Sequence, residues 1–367
     1  MIRLATAFSG IGAVEQAFKQ LGWEHEIVFA CDNGERYLEQ TQEELLDIIQ
    51  KERAKTGKTT KEVVADLYDS LGYPNNVKAS YFANYDITED KWYEDVRFLD
   101  GRPFRGQVDI FVGGSPCQSF STYGKKRGLE DTRGTLFYDY ARLVSEIKPK
   151  VFIYENVRGL LSHDNGRTWS IIKEVFESLN YNVFYKVLDA QHYGLPQMRK
   201  RVFVVGINKE LGVDNFEFPD RIPLTKSVSD YLDSDVPDEY YLPEKGFRWV
   251  TEWDRNQGKA RVNRDIMGCQ TAIQQINWSG DFRLEPPKPA HYNNPNIYIG
   301  HYQDKEAVAR KLTPAECLKL MGFVDFKIVN EDKIMYRQSG NSIAVPVLKE
   351  ILEQIIRFVP LDENYEK

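Results

Sequence analysis

Ile2-Arg3-Leu4-Ala5-Thr6-Ala7-Phe8-Ser9-Gly10-Ile11-Gly12-Ala13 opens the chain with an apolar run that breaks at a glycine turn. Ile2–Phe8 reads as a buried strand, and Ser9–Ala13 as a tight turn into a helix whose apolar positions include Val14, Ala17, Phe18 and Leu21. Ile27–Ala30 reads as a second strand, ending at Cys31-Asp32. A β-α-β opening with a glycine turn and an acidic residue after the second strand is the arrangement that holds an adenosine ribose. It predicts an α/β chain with a Rossmann-like sheet. The third glycine of the dinucleotide fingerprint is missing, because Glu15 occupies its place. That glycine lets the backbone approach a pyrophosphate, so a ligand with adenosine and no phosphate fits better; S-adenosyl-L-methionine is such a ligand.

Further along, Val108–Val112 has the look of a buried parallel strand, and it runs into Gly113-Gly114-Ser115-Pro116-Cys117-Gln118-Ser119-Phe120-Ser121. Pro116 fixes its own φ and holds Ser115 extended, so the loop presenting Cys117 is stiffened in advance. A structural cysteine sits inside an apolar run, whereas this one follows a strand end, where open α/β sheets bind ligands. Cys117 is therefore the candidate nucleophile. Val151–Tyr154 is the next strand and delivers Glu155 to the same edge as a second catalytic group. Gln197-Met198-Arg199-Lys200-Arg201 leads into the strand Val202–Ile207; in an extended segment Arg199 and Arg201 share one face. Asn84–Thr88 reads as the end of a third strand, carrying Asp86.

The composition, 42% hydrophobic and 28% charged, is that of a globular protein, and no apolar run is long enough for a transmembrane helix. Met1-Ile2-Arg3-Leu4 carries no signal-peptide pattern, and four widely spaced cysteines form neither a disulfide framework nor a zinc cluster; no metal is expected. Both features suit a cytoplasmic protein. A net charge of −7 speaks against nucleic acid as a partner only if basic residues are scattered, and here they are grouped. Lys125, Lys126, Arg127 and Arg133 follow the cysteine loop; Arg255, Lys259, Arg261 and Arg264 form a second group beside Asn256, Gln257 and Asn263. Arg, Lys, Asn and Gln are the side chains that hold phosphates and read base edges.

Residues 33–80 are longer than an ordinary connection and read as an inserted helical hairpin, a solvated decoration. The domains expected are 1–215, 216–310 as a smaller loop-rich region, and 311–367 as a hinge with a last helix, Val345–Phe358, opened by Ser339–Ile343. Thr313-Pro314-Ala315-Glu316 is a capping box with Pro at the first helical position.

Taken in order, these blocks resemble the DNA cytosine C5-methyltransferases of bacterial restriction–modification systems. The resemblance rests on Phe8-Ser9-Gly10-Ile11-Gly12, Gly114-Ser115-Pro116-Cys117-Gln118, Glu155-Asn156-Val157, Gln197–Arg201, Leu312–Glu316 with Met321-Gly322-Phe323, and Gly340-Asn341-Ser342. Thr6 stands where an aspartate is common, and Asp32 where a glutamate is. The resemblance implies a methyltransferase sheet with a target-recognition domain. It implies S-adenosyl-L-methionine as cofactor, S-adenosyl-L-homocysteine as product and duplex DNA as substrate, with C5 of a flipped cytosine methylated through a Cys117–C6 adduct. Glu155 would act at N3, with Arg201 and Arg199 beside it. Phe8 would stack on the adenine, Asp32 bind the ribose, Asp86 the adenine amino group, and Asn341 and Ser342 the methionine end. Gly10, Ile11, Gly12, Ile87, Pro116 and Leu136 would line that pocket. The 121–134 loop, with Ser121, Tyr123 and its four cations, would close over the DNA, and Thr271 would anchor the recognition domain. A monomer at the nucleoid is implied, with a cognate restriction endonuclease it does not touch. The rivals are an RNA (tRNA) cytosine methyltransferase on the same core and a catalytically inactive DNA-binding regulator.

Overall fold

In the computed structural model the chain is described over residues 1–116 and 132–361, with residues 132–135 and 253 as backbone only. It divides into two compact units. The first comprises Met1–Leu188, Lys200–Asp220 and Leu348–Lys367; the second comprises Asp189–Arg199 and Arg221–Val347. The second unit thus begins close to the expected boundary near residue 216, but also takes in 189–199 and 311–347.

The first unit is built on a seven-stranded sheet. Its elements in chain order are β1 (Ile2–Ala7), α1 (Ala13–Leu21), β2 (His25–Cys31), α2 (Gln42–Thr56), α3 (Thr60–Asp69), α4 (Asn76–Asn84), β3 (Trp92–Tyr93), β4 (Ile110–Gly113), α5 (Thr132–Ile147), β5 (Val151–Val157), α6 (Arg167–Ser178), β6 (Tyr181–Asp189) and β7 (Lys200–Asn208). The spatial order is β3-β2-β1-β4-β5-β7-β6. β1 pairs in parallel with β2 and β4, and β4 with β5, so their C-terminal ends share one edge. β7 runs antiparallel to β5, pairing Val157 with Arg201 and Glu155 with Phe203. Reversal brings the start of β7, not its end, to that edge.

Near-continuous apolar strands are what a sheet covered on both faces requires. Phe111, Phe152 and Tyr154 pack against Phe137, Tyr140 and Val144 of α5 and Ile172 and Phe176 of α6. The Tyr140 ring stacks on Phe111, and its buried hydroxyl donates to the carbonyl of Ile153 at 3.0 Å. Another cluster, Ile27, Ala30 and Trp92, is closed by Tyr81.

Two sequence expectations give way here. Asn84–Thr88 is not a strand: α4 ends at Asn84, and the edge strand is Trp92–Tyr93, pairing with Ala30 and Cys31. The apolar spacing Val77, Tyr81, Tyr85 is that of a helix, and Asn75 caps it. The insertion does hold a packed pair of helices, but it is more than a solvated decoration, since it has a small core of its own. Its α2 and α3 both carry complete capping boxes, at Thr41/Glu44 and Thr59/Glu62, and bury Ile49, Val63, Val64 and Tyr68 together.

The second unit contains α7 (Glu244–Thr251), α8 (Trp253–Asn256), β8 (Ala260–Val262), β9 (Gly280–Glu285), β10 (Gly300–Tyr302), β11 (Lys305–Arg310), α9 (Pro314–Lys319) and α10 (Asp332–Asn341); α11 (Val345–Phe358) is the last helix among the described residues. Where a loop-rich region was expected there is a four-stranded sheet, β10-β11-β9-β8. Its strands are short and polar on one side, which hides them from a search for apolar runs. Ser339–Asn341 close α10 rather than opening α11.

The Thr313 capping box is present, and it does more than cap. Glu316, fully buried, also accepts from both terminal nitrogens of Arg310 at 2.9 and 3.0 Å and from the Asp233 N–H at 2.9 Å. Arg310 reaches Glu285 as well, at 2.7 Å. Removing one partner strands a charge away from water, so Arg310→Ala should destabilise this unit by about 3–5 kcal/mol in denaturant titration.

Glu15 gives a second test. Its carboxyl, buried between β1 and α4, accepts from the Tyr81 hydroxyl, while its other oxygen has no hydrogen-bond partner. Burial pushes it up to about 7 from 4.5, against the opposing pull of Tyr81. A raised carboxyl favours the protonated folded chain, so its stability contribution is intact below 4.5 and is lost as pH rises through about 7. The loss is on the order of 3 kcal/mol. The melting temperature of wild type relative to Glu15→Gln should therefore fall between about pH 5 and pH 8, in matched thermal melts.

Candidate active site

The glycine turn lies at the C-terminal end of β1. Phe8, Gly10 and Gly12 all have positive φ, at 55°, 54° and 78°. Glycine takes such angles freely, whereas a phenylalanine there is strained and must be held by its surroundings. The Gly10 N–H donates to Asp32 Oδ2 at 2.9 Å, and the Gly34 N–H to Oδ1 at 2.8 Å. Asp32, at the end of β2, is thereby aimed across the turn. Desolvation outweighs these two bonds and pushes its carboxyl up to about 6. A carboxylate fixed beside an open glycine turn fits the hydroxyls of an adenosine ribose, and Glu15 in place of the third glycine fits a ligand without phosphate. Ile11 is buried under the turn.

Asp86 is exposed in the loop after α4, and Ile87 packs on the Ile27, Ala30, Tyr81 and Trp92 cluster. Leu136 packs on the main core from α5, and Pro116 is exposed. Asn341 and Ser342 belong to the second unit, at the C-terminal end of α10.

The segment that leads to Cys117 is held at its root. A Cβ on Gly114 would come within 2.8 Å of the Glu155 carbonyl and 3.2 Å of its Oε2, so only glycine allows β4 to leave the sheet this close to Glu155. The Ser115 and Tyr154 hydroxyls share a 2.7 Å hydrogen bond, and Asn156 Nδ2 donates to the Tyr154 hydroxyl at 3.0 Å and the Ser115 carbonyl at 3.3 Å. Beyond Pro116, Cys117, Ser121, Tyr123, Lys125, Lys126 and Arg127 lie outside the described residues, and Arg133 is described by its backbone alone.

Arg201 Nε lies 3.2 Å from Glu155 Oε1, with both side chains largely buried. The antiparallel register explains the pair. Arg201 stands opposite Val157, two residues from Glu155, so both face the same side as diagonal neighbours. Arg199 does not follow the expected pattern. It precedes β7, belongs to the second unit, and is 3% exposed. Its guanidinium donates to the main-chain carbonyls of Gln270 at 2.9 Å, Gly340 at 3.1 Å and Ser342 at 2.5 Å. The alternation of an extended strand fails here because the strand begins one residue later. The geometry gives Arg199 a scaffolding role, holding the Gly340–Ser342 segment against Gln270. A Cβ on Gly340 would meet the Thr271 carbonyl carbon at 2.4 Å, which explains the glycine and ties Thr271 to the same segment.

Of the second basic group, Arg255 and Lys259 are exposed, as is Arg264, while Arg261 is half-buried. Arg255 pairs with Glu252. Arg261 on β8 sits in register with Asp281 on β9, whose buried carboxyl is raised by desolvation and pulled back by the Gly268 N–H and then by Arg261 and Arg264. Asn256 and Asn263 have the right chemistry for base edges but spend it on backbone. Asn256 bonds the Trp249 carbonyl at 2.8 Å, and Asn263 brackets Leu284 at 2.8 and 3.0 Å.

Sequence reasoning missed Asn75, Tyr81 and Tyr85. The Tyr85 hydroxyl donates to the carbonyls of Ile11 at 3.1 Å and Gly12 at 2.7 Å, and Asn75 Nδ2 donates to the Asp32 carbonyl at 2.9 Å. The signal available was two tyrosines one helical turn apart behind a capping asparagine.

Among the described residues no cluster of metal-binding side chains occurs, and no helix is long and apolar enough to cross a membrane. A Spodoptera frugiperda DNMT2 structure overlays with a TM-score of 0.67 across 97% of this chain and 100% of that one, at 19% identity, which is likeness of fold. The Type II methyltransferase M.SsoII of Shigella sonnei is 38% identical over 280 residues, 76% of this chain and 70% of that protein. M.HhaI of Haemophilus parahaemolyticus is 35% identical over 249 residues, 67% of this chain and 75% of its own. The C-5 cytosine-specific DNA methylase model matches residues 70–357, from the end of α3 into the last turn of α11. With a relative this similar and a match over most of its length, the chain belongs to the C-5 cytosine-specific DNA methylase family.

Proposed function

We propose that this protein methylates C5 of a flipped-out cytosine within a specific duplex DNA sequence, with Cys117 as nucleophile. What supports the reading is the Glu155–Arg201 ion pair at the sheet edge, one glycine contact away from the root of the Cys117 loop. C5 of cytosine is too weak a nucleophile to attack a sulfonium unaided. The Cys117 thiolate adds to C6, and the electrons of the C5–C6 double bond become available at C5. Glu155 holds a proton at N3 while the ring carries the extra density, and Arg201 holds Glu155 and the base oxygen. S-adenosyl-L-methionine supplies the methyl group and departs as S-adenosyl-L-homocysteine. A base then removes the C5 proton, the electrons return to the C5–C6 bond, and the Cys117 thiolate leaves. The target atom is stacked inside a duplex, so the base must be extruded first.

Phe8, Asp32, Asp86, Ile87, Pro116, Leu136, Asn341 and Ser342 are assigned to the cofactor in this reading. Lys125, Lys126, Arg127 and Arg133 neutralise phosphates along with Arg255, Lys259, Arg261 and Arg264, beside Ser121, Tyr123 and Thr271. The chain acts as a monomer on the nucleoid, as the modification partner of a restriction endonuclease it does not touch. Arg199 is kept as a scaffold for the second unit rather than a contact to the base.

Incubation with duplex DNA carrying 5-fluorocytosine should trap a covalent adduct at Cys117, seen as a denaturation-resistant band; its absence from an active preparation rules out the covalent route. Glu155→Gln should lower kcat by about 100-fold or more, on the scale of a general acid–base group, while cofactor binding measured by calorimetry persists.

A further inference from the structure

The insertion reads in sequence as decoration, yet the helix it leads into touches both halves of the glycine turn–Asp32 pair. Tyr85, the residue closing α4, donates to two carbonyls of the turn, and its ring occupies the space a Gly12 side chain would need. Peptide units are planar, so fixing the Ile11 and Gly12 carbonyls fixes the tilt of both peptide planes. One helical turn earlier, Tyr81 is hydrogen-bonded to Glu15 at the start of α1. At the other end of the helix, Asn75 does two jobs. Its Oδ1 caps α4 by accepting from the Lys78 N–H at 3.0 Å, and its Nδ2 bridges the Asp32 carbonyl and Glu94 Oε2, at 2.9 and 2.8 Å. Gly34 lies directly against Asn75, and Arg36, buried over the Tyr68 ring, completes the network through Glu94.

We propose that the insertion and α4 form a brace for the cofactor pocket, with Asn75 and Tyr85 as positioning residues for S-adenosyl-L-methionine. The brace holds the glycine turn from one end of α4 and the Asp32 loop from the other, so the distance between them is set by the length of one helix. The proposal rests on the methyltransferase reading only for the identity of the ligand. Neither residue is a catalytic residue; each acts through backbone that the cofactor meets.

Two substitutions in the full chain separate bracing from folding. Tyr85→Phe keeps the ring under Gly12 and removes only the hydroxyl. Asn75→Ser keeps a good helix cap and removes the two amide bonds without setting a second carboxylate against Glu94. Each should weaken binding of S-adenosyl-L-homocysteine in calorimetry, and raise KM for S-adenosyl-L-methionine, by about 5- to 20-fold, the scale of one or two hydrogen bonds. KM for DNA and kcat should stay within about twofold, as should every constant of Lys58→Ala, which breaks only an exposed ion pair with Asp66. Cofactor affinity unchanged in both variants overturns the brace, and so does an equal loss in cofactor and DNA terms, which marks general destabilisation. A wild-type chain that binds the cofactor and leaves DNA unmethylated removes the DNA reading but not the brace, since the binding arm still supports it. A wild type that binds no cofactor overturns the brace.

Discussion

The site depends on the reversal of one strand. Had β7 run parallel to its neighbour, its start would lie at the opposite edge of the sheet and Arg201 would be a strand's length away from Glu155. Running antiparallel, it places a guanidinium diagonally across from a carboxylate that would otherwise be expensive to bury. The neighbouring requirement is steric: β4 must turn out of the sheet against the Glu155 backbone, and Gly114 is the residue that fits. Ser115, Tyr154 and Asn156 then fasten that turn with three hydrogen bonds.

Much of this was legible. The apolar strands, the glycine turn, Asp32, and the carboxylate at the end of β5 follow from local pattern, because buried parallel strands and tight turns have narrow residue requirements. Less legible were features decided by tertiary partners. Asn84–Thr88 has strand-like composition, but Tyr81 and Tyr85 repeat with helical spacing and find partners at Glu15 and in the glycine turn. Arg199 and Arg201 look equivalent in sequence. They differ because one precedes the strand and meets three carbonyls, while the other lies within it. The short strands of the second unit are held by pairing and by side chains such as Asn263, which bonds Leu284 like an added rung of the ladder. No periodicity announces such a rung.

The second unit also shows how a charge can serve as structure. Arg310 is fully buried between two carboxylates, Glu285 at the margin and Glu316 inside, and Glu316 is answered further by the N–H groups of Asp233 and Thr313. Arg199 works similarly with neutral partners, donating to three main-chain carbonyls. In both, arginine's planar fork holds several acceptors at fixed, separated positions, which a lysine's single ammonium point does not reproduce.

The first unit is not continuous in the chain. It needs residues 200–220 and the C-terminal segment, whose Phe358 meets Phe216 at 5.6 Å and whose Leu361 carbonyl accepts from Lys150 at 2.6 Å. On the ribosome, then, the larger unit stays unfinished until synthesis has passed Leu361. For the time it takes to synthesise the intervening residues, its partly assembled sheet must wait with apolar surface uncovered. That interval makes the last turns of α11 a quality check: a message truncated there leaves the sheet short of its final packing and open to proteolysis.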